Sequence, residues 1–249
     1  YGDAEIVIGN AFELENKFKI INKFSTVSSK SWNSETVELW EERFFESLKS
    51  MQVSKFDCFL IHNIKDIQRV DSKILINWLL SLKERSLVKR IGVSIYDPFD
   101  LKVIPIEIFD LFQLPLSIYD QRFLKNGAID FLFSQEKSIH VRSIFLQGLI
   151  LQNPNQWPDF ISKNFRNHHF RSKEILSKNK LNLLKAALLF VQKIEKIEAV
   201  LFGVTNLIEF NQILSTWKYL KNKNNLMEID YDFSWEIIND IDPRKWVRN

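Results

Sequence analysis

Several residues stand where side chains of their type do chemistry. Lys23 lies in an apolar run, Ile20-Ile21-Asn22-Lys23-Phe24. A lysine there is rare unless its amine is paired or reaches water, and at a strand end it puts a positive charge at a barrel mouth. His62 follows Asp57-Cys58-Phe59-Leu60-Ile61, at the C-terminal end of a predicted strand, where parallel barrels keep their reactive groups. Gly92-Val93-Ser94 ends another strand, and Gln113 lies inside a further one, where its amide needs a partner. Arg142-Ser143 with Gln147-Gly148 flanks the next strand end. Gly203-Val204-Thr205-Asn206 closes the last strand, and a turn into a helix can offer backbone amides to phosphate. Each feature also has a plain structural reading: a solvated lysine, a satisfied histidine, a glutamine bonded to backbone, an ordinary turn. Tyr219 and Lys223 have the Tyr-x-x-x-Lys spacing of a proton relay, but no glycine-rich loop precedes them, so they read as a solvated helix end. The chain has no Gly-x-Gly-x-x-Gly, which speaks against a Rossmann dinucleotide site.

The elements that must position these residues alternate. Segments 18–24, 56–61, 89–94, 108–116, 140–146 and 199–203 read as strands. Segments 35–51, 72–85, 127–136, 181–193 and 207–220 read as helices, from apolar residues at helical spacing such as Val37, Trp40, Phe44 and Leu48. Segment 152–179 is polar and irregular and predicts a long loop with at most a short helix. A lid is one reading of it, with Arg166, His168, His169 and Arg171 meeting an anionic substrate or cofactor phosphates; a solvated loop is the plainer one. Strands alternating with helices imply parallel βαβ units. The count is six units, in one domain spanning 1–249, short of the eight in a closed (β/α)8 barrel.

Composition narrows the classes. Of 249 residues, 45% are hydrophobic and 26% charged, so a globular chain is expected and disorder is not. The longest apolar run, Ala186 to Val191, is far below the roughly 20 residues of a membrane span. A net charge of +3 without a dominant basic block gives no reason to expect nucleic-acid binding. One cysteine, Cys58, excludes an internal disulfide and points to a reducing, cytoplasmic compartment, and the four histidines make no zinc signature.

Taken in order, these pieces resemble the aldo-keto reductases. Tyr1-Gly2-Asp3-Ala4-Glu5 matches that family's pattern from its tyrosine onward. Lys23 matches its strand-borne lysine, Asp57 through His62 its Asp-x-x-x-x-His strand, Gly92 to Ser94 its Gly-Val-Ser strand end, and Gln113 its carboxamide-binding glutamine. Gly203 to Asn206 resembles the final strand and phosphate-side turn, with Glu209 where the family often contacts adenine. The stretches QLPLSIYDQR and VRSIFLQGLIL look like a bacterial subgroup often found in sugar and cell-surface polysaccharide pathways. The resemblance implies a (β/α)8 barrel lacking here its first two strands and first helix, hence a fragment of a protein of about 300 residues.

The resemblance also implies an NAD(P)H-dependent reductase of an aldehyde or ketone, with a sugar-related carbonyl among the substrates it suggests. Tyr1 would be the general acid, Lys23 would lower its pKa, and His62 would polarise the carbonyl. Ser94, Gln113, Arg142, Ser143, Gly203, Thr205, Asn206 and Glu209 would hold the cofactor, NADPH in preference to NADH. The family's catalytic Asp would lie five residues before Tyr1. Without it, a buried Lys23 has no counter-charge and its pKa is expected to fall. Ile95 stands where Asn is common, and Thr205 where a cation often grips the 2′-phosphate. The partner expected is a small carbonyl compound, with no nucleic acid and no membrane. The alternative is a catalytically inactive barrel that binds nucleotide or protein. A third option, a lyase or aldolase with Lys23 as Schiff base, rests on that lysine alone.

Overall fold

The computed structural model describes residues 2–11, 17–24, 26, 31–221 and 231–246. The chain forms two compact units, Tyr1–Gln113 and Leu114–Asn249.

The first unit runs α1 (Ala4–Ala11), β1 (Ile21–Phe24), α2 (Ser34–Met51), β2 (Phe56–Ile61), α3 (Ser72–Glu84), β3 (Val88–Ser94) and β4 (Leu111–Pro115), whose last two residues belong to the second unit. Its strands pair in parallel and in sequence order, with Lys23 opposite Leu60, Leu60 opposite Gly92, and Gly92 opposite Leu111. Alternation then sorts their side chains onto two faces. One face carries Phe24 and Phe59, which meet the buried helix residues Trp40, Phe44 and Trp78; ring centroids lie 5.5 Å apart for Phe24–Trp40 and 5.1 Å for Phe44–Phe59. The helices supply these rings because their apolar positions recur every three to four residues, and Asn33 with Thr36 closes a capping box at the start of α2. The other face carries Ile21, Cys58, Leu60 and Leu111 in one apolar cluster. Gly92 is required here. A Cβ at that position would sit 2.4 Å from the Leu111 carbonyl oxygen and 2.5 Å from Leu60 Cδ2. The glycine of the Gly-Val-Ser segment therefore lets β3 and β4 close against Leu60. Outside the strands, Glu5 accepts from Asn22 Nδ2 at 2.9 Å and from Ser47 Oγ at 2.6 Å, tying α1, β1 and α2 together.

The second unit runs α4 (Arg122–Lys125), α5 (Ala128–Ser134), β5 (Ser138–Arg142), α6 (Lys163–Lys178), α7 (Leu183–Gln192), β6 (Ala199–Val200), α8 (Leu207–Lys221) and α9 (Ile238–Ile241). β5 pairs with β6 in parallel, and Leu116 N donates to Arg142 O. The segment 152–179 is not the long loop its composition suggests. It contains the 16-residue α6, started by Ser162, whose hydroxyl accepts from Phe165 N. Its buried stripe is Phe165, His169, Ser172 and Leu176, at helical spacing but half polar. The predicted strand 199–203 shrinks to the two residues of β6, so Gly203 lies beyond it. The predicted strand 140–146 ends at Arg142, and 108–116 is a strand only over Leu111–Pro115. Residues 231–246 lie against α6: Asp240 accepts from Ser162 N and from Trp235 Nε1, and His168 Nε2 bonds to Phe233 O at 2.9 Å. Among the described residues, no helix is long and apolar enough to cross a membrane, and no three His, Cys, Asp or Glu side chains gather to hold a metal ion.

Candidate active site

In the first unit the candidate residues sit at the C-terminal ends of adjacent parallel strands. The β1–β2 pairing runs one residue past β2, with His62 N donating to Phe24 O at 3.0 Å. Alternation from Leu60 then puts His62 on the face that Lys23 shares with Leu60. His62 is half-buried and Lys23 is exposed. The premise that Lys23 is a buried ammonium is thereby corrected, and the expected desolvation of its charge does not apply. Asp57, at the other end of β2, pairs with Arg90 at 2.5 Å. Tyr1 lies outside the described residues, as does Lys223 of the Tyr219 pair. Tyr219 itself carries the Lys185 ammonium 5.5 Å above its ring.

Ser94 and Gln113 are the most informative pair. They are register partners on β3 and β4, 0% and 1% exposed. Ser94 Oγ and both side-chain heteroatoms of Gln113, Nε2 and Oε1, are buried without a hydrogen-bond partner among the described residues. The Gln113 backbone is engaged, since its carbonyl accepts from Ile95 N at 2.9 Å. The side-chain amide is therefore not bonded to backbone, as the plain reading of this glutamine had it. Buried polar atoms are nearly always paired, and leaving one unpaired costs about 1–3 kcal/mol. Two adjacent side chains with a free hydroxyl, a free amide donor and a free amide acceptor fit a planar carboxamide. The donor set thus suits a nicotinamide cofactor. Ile95 is fully buried and offers no side-chain polar group.

In the second unit, Arg142 ends β5, and its Nη1 donates to Ser143 Oγ at 3.3 Å. The chain then turns through left-handed backbone, with φ of +63° at Ser143, +45° at Leu146 and +55° at Gln147. Residues with a Cβ resist this region by roughly 1–2 kcal/mol each. Thr205, Asn206 and Glu209 form a helix cap. Asn206 Oδ1 accepts from Glu209 N at 2.9 Å, while the Glu209 carboxylate accepts from Thr205 N at 2.9 Å and from its hydroxyl at 3.1 Å. The Thr205 backbone and hydroxyl bonds hold the Glu209 carboxyl below its usual range. This Asn-x-x-Glu spacing is a capping signature visible in the sequence. Gly203 meets nothing at its would-be Cβ.

Three of the four lid candidates, Arg166, His168 and His169, are committed to structural bonds, while Arg171 is exposed. Arg166 donates to the carbonyls of Pro154, Trp157 and Pro158. His169 is fully buried, and its Nδ1 lies 2.9 Å from the Tyr119 hydroxyl. Burial, with Lys173 and His168 adding to it, pushes the His169 pKa down to about 4. Burial likewise raises the Tyr119 phenol, which keeps its proton. Sequence reasoning missed this pair because Tyr119 and His169 lie 50 residues apart.

Residues 1–231 match the model of the aldo/keto reductase family, and the chain belongs to that family. It is a family of nicotinamide-dependent oxidoreductases that act on small carbonyl compounds. A search of curated proteins found no match. Among solved structures, the chain is similar to the aldo-keto reductase AKR11C1 from Bacillus halodurans in its apo form, with 16% identity, TM-score 0.66, and coverage of 90% of this chain and 78% of the other. It is also similar to the glycerol dehydrogenase AKR11B4 from Gluconobacter oxydans, with 16% identity, TM-score 0.58, and coverage of 91% and 80%. At these identities the likeness establishes the fold, the parallel α/β arrangement of the family's (β/α)8 barrels.

Proposed function

We propose that the protein reduces a small aldehyde or ketone with NADPH, using Tyr1 as the general acid. The observation that carries this reading is the buried, unpartnered pair Ser94 and Gln113 at neighbouring strand ends. When bound, the nicotinamide supplies a hydride to the carbonyl carbon. His62 donates a hydrogen bond to the carbonyl oxygen and holds it as negative charge develops there. Tyr1 gives its phenolic proton to that oxygen, which completes the alcohol. The Lys23 ammonium favours the resulting phenolate and brings the phenol's pKa down from about 10. The family resemblance suggests Arg142, Ser143, Gly203, Asn206 and Glu209 for the rest of the cofactor, with Thr205 where the family often has a cation.

The test is NADPH binding by fluorescence, followed by carbonyl-dependent NADPH oxidation over a panel of small aldehydes, ketones and open-chain sugars. Turnover supports the reductase. Tight binding without turnover on any carbonyl favours a nucleotide-binding module instead.

Gln113→Leu gives the reading a sharper form. Losing two hydrogen bonds of about 1 kcal/mol each weakens NADPH and NADH alike by about 10–100-fold. The same change removes unpaired buried polar atoms, so the apo variant is expected to melt at a higher temperature than the parent. A variant that binds cofactor normally would take Gln113 out of the site.

Thr205→Arg addresses cofactor choice. A cation beside the 2′-phosphate is expected to raise the ratio of kcat/KM for NADPH over NADH by about 10-fold, the equivalent of one charge-assisted bond of about 1.5 kcal/mol. An unchanged ratio would place the 2′-phosphate elsewhere.

A further inference from the structure

A concavity opens in the first unit, at the N-terminal ends of β1, β2 and β3, opposite the strand ends that carry Lys23, His62, Ser94 and Gln113. It encloses ≈ 740 Å³, within the size range of small-molecule sites. Its walls carry five lysines, Lys17, Lys19, Lys55, Lys83 and Lys89, and a single carboxylate, Asp57. Asp57 is already taken by Arg90, and Lys83 by Asp110 at 2.6 Å. Lys19, Lys55 and Lys89 are exposed and make no ion pair among the described residues. Apolar groups complete the lining: Val53, Phe56 and Val88 are buried, whereas Phe18 is 58% exposed.

Parallel register brings the three lysines together. Lys19 stands two residues before β1, Lys55 one residue before β2, and Lys89 is the second residue of β3. Ile21 pairs with Cys58, and Phe56 with Val88, so the three positions lie within two residues of one level at the ends of three adjacent strands, each about 4.8 Å from the next strand. Like charges gathered around one concavity repel. The apolar lining strengthens that repulsion by lowering the local dielectric, and strengthens equally the attraction to any anion that enters.

We propose that this cleft binds a small organic phosphate of nucleotide size. Lys19, Lys55 and Lys89 hold its phosphates, and its flat apolar part lies against the exposed ring of Phe18. The site is separate from the carbonyl-reducing centre. β2 has six residues at about 3.3 Å each, which puts roughly 20 Å between the two ends of the strands. The proposal is therefore independent of the function assigned to that centre.

The test is calorimetric titration of the full chain with ADP and with inorganic pyrophosphate at low salt. Both are expected to bind, ADP more tightly. The triple variant Lys19→Gln, Lys55→Gln, Lys89→Gln is expected to weaken both by at least about 10-fold, while Phe18→Ala weakens ADP alone. All three lysines are exposed and removing them relieves repulsion, so the triple variant should melt no lower than the parent, and the melt is recorded alongside. The absence of binding by the parent chain would overturn the proposal. So would an unchanged affinity in the triple variant, since it would place the phosphate away from these lysines.

Discussion

Tyr1→Phe is expected to lower kcat for carbonyl reduction by about 10²–10⁴-fold while NADPH affinity stays within error of the parent. Phenylalanine keeps the ring but has no proton to give. The loss therefore falls on the step in which negative charge forms on the carbonyl oxygen, and not on cofactor binding. Lys23→Met separates the two roles. It leaves the phenolic proton in place but removes the charge that favours the phenolate, so the limb of the pH–rate profile that reports the acid should move to higher pH. Lys23 is exposed, so this charge acts through water and the shift should shrink as salt is raised. A Tyr1→Phe enzyme with full turnover would remove Tyr1 from the mechanism.

The second unit should lose stability between about pH 6.5 and pH 4. His169 has a folded pKa near 4, below the usual value of 6.5. In that window the unfolded chain binds a proton that the folded chain refuses, so acid favours unfolding; above it the group has no effect, and below it the loss is complete. The difference amounts to about 3 kcal/mol at roughly 1.4 kcal/mol per pH unit. Protonation puts a hydrogen on both ring nitrogens, so Nδ1 can then only donate to the Tyr119 oxygen. Asp71 and Asp232, each held near 2 by a charged hydrogen-bonding neighbour, are stabilising above the ordinary carboxylate range. Their contribution is lost only as pH falls from about 4 towards 2, so the two effects separate. Urea melts at pH 7.0 and 4.5, followed through Trp157 and Trp235 beside α6, measure the first. His169→Leu should flatten the difference, and a parent protein equally stable at both pH values would contradict the assignment.

These two predictions differ in how visible their residues were. Lys23, His62, Ser94 and Gln113 are polar groups in or just after apolar strands, and that contrast survives in a bare sequence. Alternation and parallel pairing then dictate which of them share a face. That Gln113 has no partner was not legible, because nothing in a sequence says which backbone groups remain free around a side chain. α2 and α3 announce themselves through aromatic and aliphatic stripes. α6 does not, since two of its four buried positions are His169 and Ser172, and their partners come from distant segments. Thr205, Asn206 and Glu209 resemble a cofactor-side turn, but their spacing also spells a cap, which is the role their hydrogen bonds show. The lysine cleft is the extreme case: 19, 55 and 89 have no relation along the chain, and only the register of three strands makes them neighbours.

The left-handed turn after β5 bears on how this chain trades robustness for purpose. Gln147 is exposed, and glycine or asparagine would hold its backbone at less strain. Ser143, whose hydroxyl accepts from Arg142 Nη1, carries the same backbone strain. Leu146 differs, because its fully buried side chain compensates for the conformation it is forced into. The turn is thus a place where the thermodynamic optimum and the working sequence part company. A designer who idealised it would gain a steadier scaffold while discarding the two side chains that the strand end presents.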